Sequence, residues 1–317
     1  MKRKRIGIDI MGGDFSPKAT VEGAVLAKKE LSANIDVCLI GDEKIIVSIL
    51  KSLNELVEDF NIFDAPEVIE MGDHPTRSFL QKPNSSISIG FKLLKKGEID
   101  GFASAGNTGA MVVGGHMSLK PIPGIIRPPL CSILPKENGG VNIILDVGAN
   151  ADCKTDILYQ FGIIGTLFAK HVCGIKDPKV GLLNIGEEDS KGNILSVAAH
   201  KMMKDSIDFN FIGNIESRDL FSNIADVIVC DGFTGNIVVK EVEAFYSILK
   251  RRGVKDDFID RFNYEDYGGT PLIGLNKPVI IGHGISNAIA IKNMISLTCD
   301  IVESDLSSKI YKKFNND

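Results

Sequence analysis

The chain has 317 residues, 44% of them hydrophobic and 24% charged, with a net charge of -5, the balance of an ordinary soluble globular protein. Mild acidity leaves no overall footprint for nucleic acid, and no apolar run approaches the ~18 residues needed to cross a bilayer. The basic start, Met1 to Arg5, passes into Ile6-Gly7-Ile8-Asp9, which puts a carboxylate where a signal peptide must stay apolar.

Arg5 to Ile10 reads as a first strand, followed by Met11-Gly12-Gly13-Asp14 and a helix with Ser16 as N-cap and Pro17 at its first position, running to about Leu31. Val37 to Ile40 and Asn61 to Phe63 are further strands, with a helix over Glu43 to Leu50. Glu70 to Asn84 is polar, proline-containing and aperiodic, so it reads as a loop long enough to be functional. A helix over Ile87 to Lys95 and a short strand, Gly101 to Ser104, lead to Ala105-Gly106-Asn107-Thr108-Gly109 and a helix from Ala110 to Met117. Small residues there let backbone approach a ligand, and the helix start offers N–H donors to an anion.

After the proline-rich Lys120 to Pro129, strands are expected at Leu130 to Leu134 and Val141 to Leu145, the second ending in Asp146-Val147-Gly148-Ala149-Asn150. A helix over Ile157 to His171 precedes the most telling stretch, Val180 to Asn193. It opens as a buried strand and breaks at Gly186 into Glu187-Glu188-Asp189-Ser190-Lys191 before a helix over Ile194 to Met203. In open α/β sheets ligands sit just past the carboxyl ends of strands, which is where this lysine falls. Phe209 to Gly213 and Val227 to Cys230 are the next strands, the latter ending in Asp231-Gly232-Phe233-Thr234-Gly235-Asn236. A last strand, Val279 to Ile281, ends in His283-Gly284, with Ser286 and Asn287 opening a helix to about Val302.

Strand, polar turn and helix in alternation predict an α/β fold with a doubly wound, largely parallel sheet. With no repeat or separating linker, the expectation is one continuous unit, 1–317, with a helical excursion at about 237–264. Gly-x-Gly-x-x-Gly, the P-loop, Gly-x-Ser-x-Gly and His-Glu-x-x-His are all absent, which argues against a dinucleotide site, an NTPase, a serine hydrolase and a zincin. Six dispersed cysteines without Cys-x-x-Cys read as reduced core thiols. His171 and His200 fall near helix ends, where they complement the dipole. Asp9, Asp14, Asp146, Asp152, Glu187, Glu188 and Asp231 could gather around Mg²⁺, but acidic residues at strand ends are also ordinary caps, so neither metal nor cofactor is expected.

Taken together in this order, Ile8 to Asp14, Ser104 to Ala110, Arg127-Pro128, Leu145 to Asn150, Leu183 to Glu188 with Lys191-Gly192, Gly213 to Glu216, Cys230 to Asn236, Tyr267-Gly268-Gly269 and His283-Gly284 resemble the acyl-carrier-protein:phosphate acyltransferase family of phospholipid synthesis. That resemblance implies an isopropylmalate-dehydrogenase-like α/β/α fold, a homodimer, a cytoplasmic enzyme, and conversion of acyl carrier protein thioester plus orthophosphate into acyl phosphate and free carrier protein. Phosphate is itself the nucleophile, which suits a chain without an elbow motif. Lys191 is expected to supply charge to phosphate and the developing oxyanion, and Asn236 a hydrogen bond. Gly106, Asn107, Thr108, Asn150, Asn184, Glu187, Asp231 and His283 are expected to bind substrate. In the plainer reading Asn236 caps its helix and Lys191 pairs with Glu187.

Ile237 to Leu249 is amphipathic, with Ile237, Val238, Val242, Phe245, Tyr246 and Leu249 along one side. The segment up to Tyr267 is shorter than in typical members, so this face is assigned to a dimer or core surface rather than a membrane anchor. A weak peripheral contact with the inner face of the membrane, or with a membrane acyltransferase, is kept as secondary. Lys250, Arg251, Arg252 and Lys255 are the expected docking patch for an acidic carrier protein. Rival readings are a phosphotransacetylase-like enzyme acting on acyl-CoA, a non-catalytic carrier-protein scaffold and, third, a nicotinamide-dependent dehydrogenase.

Overall fold

The computed structural model describes residues 3–315. They form two compact units, one from the residues up to Pro121 with Tyr264–Ser307, the other from Ile122–Asn263 with the residues from Ser308 onward. The first begins β1 (Lys4–Asp9), α1 (Lys18–Glu30), β2 (Ile35–Gly41), α2 (Glu43–Ser52), β3 (Asn61–Asp64), α3 (Pro75–Gln81), α4 (Ser86–Lys96), β4 (Gly101–Ser104) and α5 (Thr108–Ser118). The chain then builds β5 (Cys131–Pro135), β6 (Val141–Leu145), α6 (Thr155–His171), β7 (Lys179–Leu183), α7 (Ile194–Lys204), β8 (Asn210–Ile215), β9 (Val227–Val229), α8 (Gly232–Arg251) and α9 (Asp257–Asp260) in the second unit. It returns to the first with β10 (Thr270–Leu272), β11 (Val279–Ile281) and α10 (Ala288–Glu303), and closes with α11 (Leu306–Asn315).

Each unit has its own sheet, ordered β10-β11-β4-β1-β2-β3 and β5-β6-β9-β7-β8. All pairings are parallel except β10 with β11 and β5 with β6. Parallel strands covered by helices on both faces must be apolar on both, and Ile6, Ile8, Ile143, Ile144, Leu145, Val227, Ile228 and Val229 are all fully buried. The polar residues that punctuate the strand ends turn out to cap the following helices. Asp42, Asn107, Asn193, Asp231 and Asn287 each accept a first-turn amide, a contact worth about 1 kcal/mol.

Four expectations need correction. The single sheet is two, because alternation reports each strand's neighbours in sequence but not where one sheet stops; the change falls across the proline-rich stretch around 120–129. The loop at 70–84 contains α3, which Pro75 opens at its first position with His74 capping the Arg77 amide at 3.5 Å. Ser16 does not cap α1; its hydroxyl donates to the Met11 and Gly13 carbonyls. The helix expected from Ile237 begins at Gly232 and runs for 20 residues. No helix among the described residues is long and apolar enough to cross a membrane.

Candidate active site

β7 and β9 are parallel neighbours in the second unit, and their carboxyl ends feed α7 and α8. Between those helix starts lies a cavity of about 600 Å³ whose polar lining comes from Asn184, Asn193, Ser196, Glu216, Asp231 and Thr234. Leu158, Leu182, Leu183, Leu195 and Val238 line its apolar side. Asn193 Oδ1 accepts from the Ser196 amide at 2.8 Å and its hydroxyl at 3.0 Å. Asp231 likewise accepts from the Thr234 amide at 2.8 Å and hydroxyl at 3.0 Å. Two helix N-termini thus bring their positive dipole ends to one cavity, offset in part by the Asp231 and Glu216 carboxylates in its wall.

Behind α8 sits the turn from Asp146 to Asn150. Asp146 is fully buried, and its carboxylate accepts from the amides of Leu130, Gly148, Ala149 and Asn150 and from the Asn150 carboxamide. Burial raises its pKa, against the pull of these donors. Gly232 and Gly235 let α8 press on this turn: a Cβ on Gly232 would lie 2.7 Å from the Asp146 carboxylate and one on Gly235 2.0 Å from the Asp146 carbonyl oxygen. Asn236 donates to the Val147 carbonyl at 3.1 Å, so it ties helix to turn while Asp231 does the capping. Asn150, expected to bind substrate, spends its carboxamide nitrogen on the Pro128 carbonyl and Asp146 and serves the turn instead.

The lysine loop is held from below. Asn184 donates to the Lys191 carbonyl at 3.0 Å, and Asn214 donates to the Glu188 carbonyl at 2.9 Å. His200, only 4% exposed, meets Asn214 Oδ1 at 3.0 Å and Asp189 at 3.1 Å. This corrects its assignment as a helix-dipole partner. Asp189 is kept below the ordinary carboxylate range, chiefly by the hydrogen bond from Lys204. Lys191 itself is half-exposed and reaches only Glu188, at 3.9 Å, while Glu187 pairs with Arg218 at 2.9 Å. So weak a surface pair leaves the ammonium able to swing. Asn214→Ala removes two contacts at once; it is expected to cost about 1–3 kcal/mol in thermal melts and to speed amide exchange across 184–192 but not in the first unit.

Gly106, Asn107, Thr108 and His283 lie in the first unit. Asn107 is buried, caps α5 through Oδ1, and donates to the carbonyls of Glu70, Met71 and Asp73. An amide with two hydrogens already facing three acceptors has none to give to phosphate, so this side chain clamps the 70–73 segment. The Gly106 amide donates to Ser104 Oγ, which in turn donates to buried Asp9 at 2.6 Å; burial raises the Asp9 pKa. Thr108 is exposed at the α5 start. His283 packs against the Tyr264 ring, centroids 5.0 Å apart. Lys250, Arg251, Arg252 and Lys255 are all exposed around the end of α8. No group of three His, Cys, Asp or Glu placed to hold a metal occurs among the described residues.

Sequence reasoning missed Ser196, Thr234 and Val238 as cavity walls and His200 as a prop. Ser196 carried a signal in its spacing, three residues beyond the Asn193 cap; His200 carried none, since its partners come from a different strand and loop.

Two mostly parallel sheets with flanking helices define an α/β fold, and solved structures share it. A phosphotransacetylase from Streptococcus pyogenes superposes with a TM-score of 0.68 at 20% identity, covering 95% of this chain and 94% of its own. The EutD phosphotransacetylase from Staphylococcus aureus gives 0.65 at 18% identity with the same coverage. The chain belongs to the fatty acid synthesis protein family, whose model matches residues 4–309. Among its relatives, the phosphate acyltransferase of Dictyoglomus thermophilum is 42% identical over 96% of both chains. That of Salinibacter ruber is 38% identical over 100% of this chain and 99% of its own.

Proposed function

We propose that the chain, acting as one enzyme domain over 1–317, forms acyl phosphate from a long-chain acyl thioester of acyl carrier protein and orthophosphate, for phospholipid synthesis. The chemistry is placed in the cavity of the second unit. One observation carries the reading: two helix N-termini open on a cavity whose walls offer no activated protein nucleophile. Cys230, the cysteine in its wall, is pushed well above the ordinary thiol range by burial and then by the Asp231 and Asp146 carboxylates, which keeps it a thiol. Ser196 donates to Asn193 and has no histidine beside it in the wall.

A phosphate oxygen then attacks the thioester carbonyl. The C–S bond breaks, the thiolate leaves with little assistance given a thiol pKa near ~8.5, and the proton of hydrogen phosphate ends on the carrier sulfur. Lys191 swings in to balance the phosphate and the oxyanion, and the second Asn236 N–H serves the same oxyanion. Asn184 and Asp231 shape the cavity wall. We place the enzyme in the cytoplasm, where its six free thiols stay reduced, as a homodimer in which exposed Ile237 and Ile248 of α8 find cover. A weak peripheral membrane contact belongs to the same reading.

Lys250, Arg251, Arg252 and Lys255 steer the acidic carrier. The test compares acyl carrier protein and acyl-CoA thioesters as donors, at low and high salt. The carrier thioester is expected to be preferred, with its KM rising about tenfold as salt screens the patch. Equal use of both donors, or a KM indifferent to salt, would contradict the donor and the docking patch respectively.

A further inference from the structure

A second cavity of about 520 Å³ lies farther along α8, walled by Val242, Phe245, Tyr246 and Leu249 on the helix and by Phe221, Phe258 and Phe262 opposite. The three phenylalanines form an edge-on cluster with centroids 5.0–6.4 Å apart. Thr234 and Val238 line the polar cavity, and Val242, Phe245 and Leu249 line this one. Steps of four, four, three and four residues keep all five on a single helical face, and the stripe extends about 22 Å at 1.5 Å per residue. The charged groups in the apolar wall are the carboxylates Glu241 and Asp256, and Lys250 Nζ donates to the hydroxyl of the wall's Tyr246 at 3.4 Å. The rest of the wall is aliphatic and aromatic, which fits a hydrocarbon tail whose reacting head lies elsewhere.

We propose that this cavity is the acyl-chain subsite: with the thioester carbonyl at the polar cavity, the chain runs along α8 past Val238 and Val242 and ends among Phe221, Leu249, Phe258 and Phe262. The proposal rests on the acyl-transfer reading given above. It makes the cavity a measure of chain length, each methylene it buries favouring the substrate about fourfold until the space is filled.

The test replaces Leu249 by Trp at the far end and, separately, Val242 by Phe midway, with circular dichroism confirming the fold. For Leu249→Trp the ratio of kcat/KM for hexadecanoyl over octanoyl carrier protein is expected to fall at least about tenfold, and Val242→Phe is expected to shift the cut-off to still shorter chains. A pyrene-tipped hexadecanoyl thioester of N-acetylcysteamine, followed by fluorescence without turnover, is expected to bind wild type saturably and both folded variants at least about tenfold more weakly. An unchanged ratio with acyl phosphate still formed overturns the subsite and leaves the catalytic reading standing. Variant-sensitive probe binding without acyl phosphate from any donor does the reverse. If the variants instead alter sedimentation or vesicle binding with the ratio unchanged, the cavity belongs to a subunit or membrane contact and the proposal fails.

Discussion

Gly235→Ala is expected to destabilise the second unit by about 3 kcal/mol or more, at the upper end of what overpacking costs. The added methyl would stand 2.0 Å from the Asp146 carbonyl oxygen and 2.9 Å from Cys230 Sγ, and neither the turn nor the end of β9 has a flexible tip that can move aside. To make room α8 must lift from the 146–150 turn, taking with it the Asp231 cap and the Asn236 tether. A fall in melting temperature of roughly 6–12 °C should accompany loss of activity even below the melt. Near-normal stability would mean that α8 does not pack on the turn as closely as described.

Lys191→Ala is expected to lower kcat/KM for acyl phosphate formation by about 10²–10³-fold, the usual consequence of removing a group that stabilises developing negative charge. Stability should hardly change, because the ammonium is half-exposed and its one ion pair spans 3.9 Å. Lys191→Arg should recover part of the rate, since charge survives while its shape changes. Activity within threefold of wild type in a folded Lys191→Ala protein would remove the lysine from the mechanism. The contrast with Gly235 is informative: one variant removes chemistry from an intact frame, the other the frame itself.

Much of this frame is legible in the chain. Apolar runs such as Val141 to Leu145 and Val227 to Val229 declare buried strands, and Asn193 announces a helix start because capping needs such a side chain there, whereas Asp231, the cap of α8, is passed over for a helix read from Ile237. What cannot be read is how a strand-end residue divides its hydrogen bonds. Asn107 and Asn150 look like Asn184 in sequence, yet the first two spend their amides on distant carbonyls, of 70–73 and of Pro128, while Asn184 donates within its own loop, to Lys191, and lines the cavity. Those distant carbonyls lie 22 to 37 residues away, beyond any local pattern. His200 is hidden for the same reason. The division into two sheets escapes notice because the β-α alternation on either side of 120–129 is equally regular. The aromatic cluster near α8 joins Phe221 to residues after the helix, and periodicity within the helix could show only half of that wall.

That free orthophosphate, not a protein side chain, cleaves the thioester is the claim on which the account turns. A single-turnover reaction with radiolabelled orthophosphate and long-chain acyl carrier protein tests it directly. One labelled acyl phosphate is expected for each carrier thiol released, with no acyl group left on the protein after denaturation. Thiol release without label in the product, or an acyl adduct on Cys230 or Ser196, would contradict it.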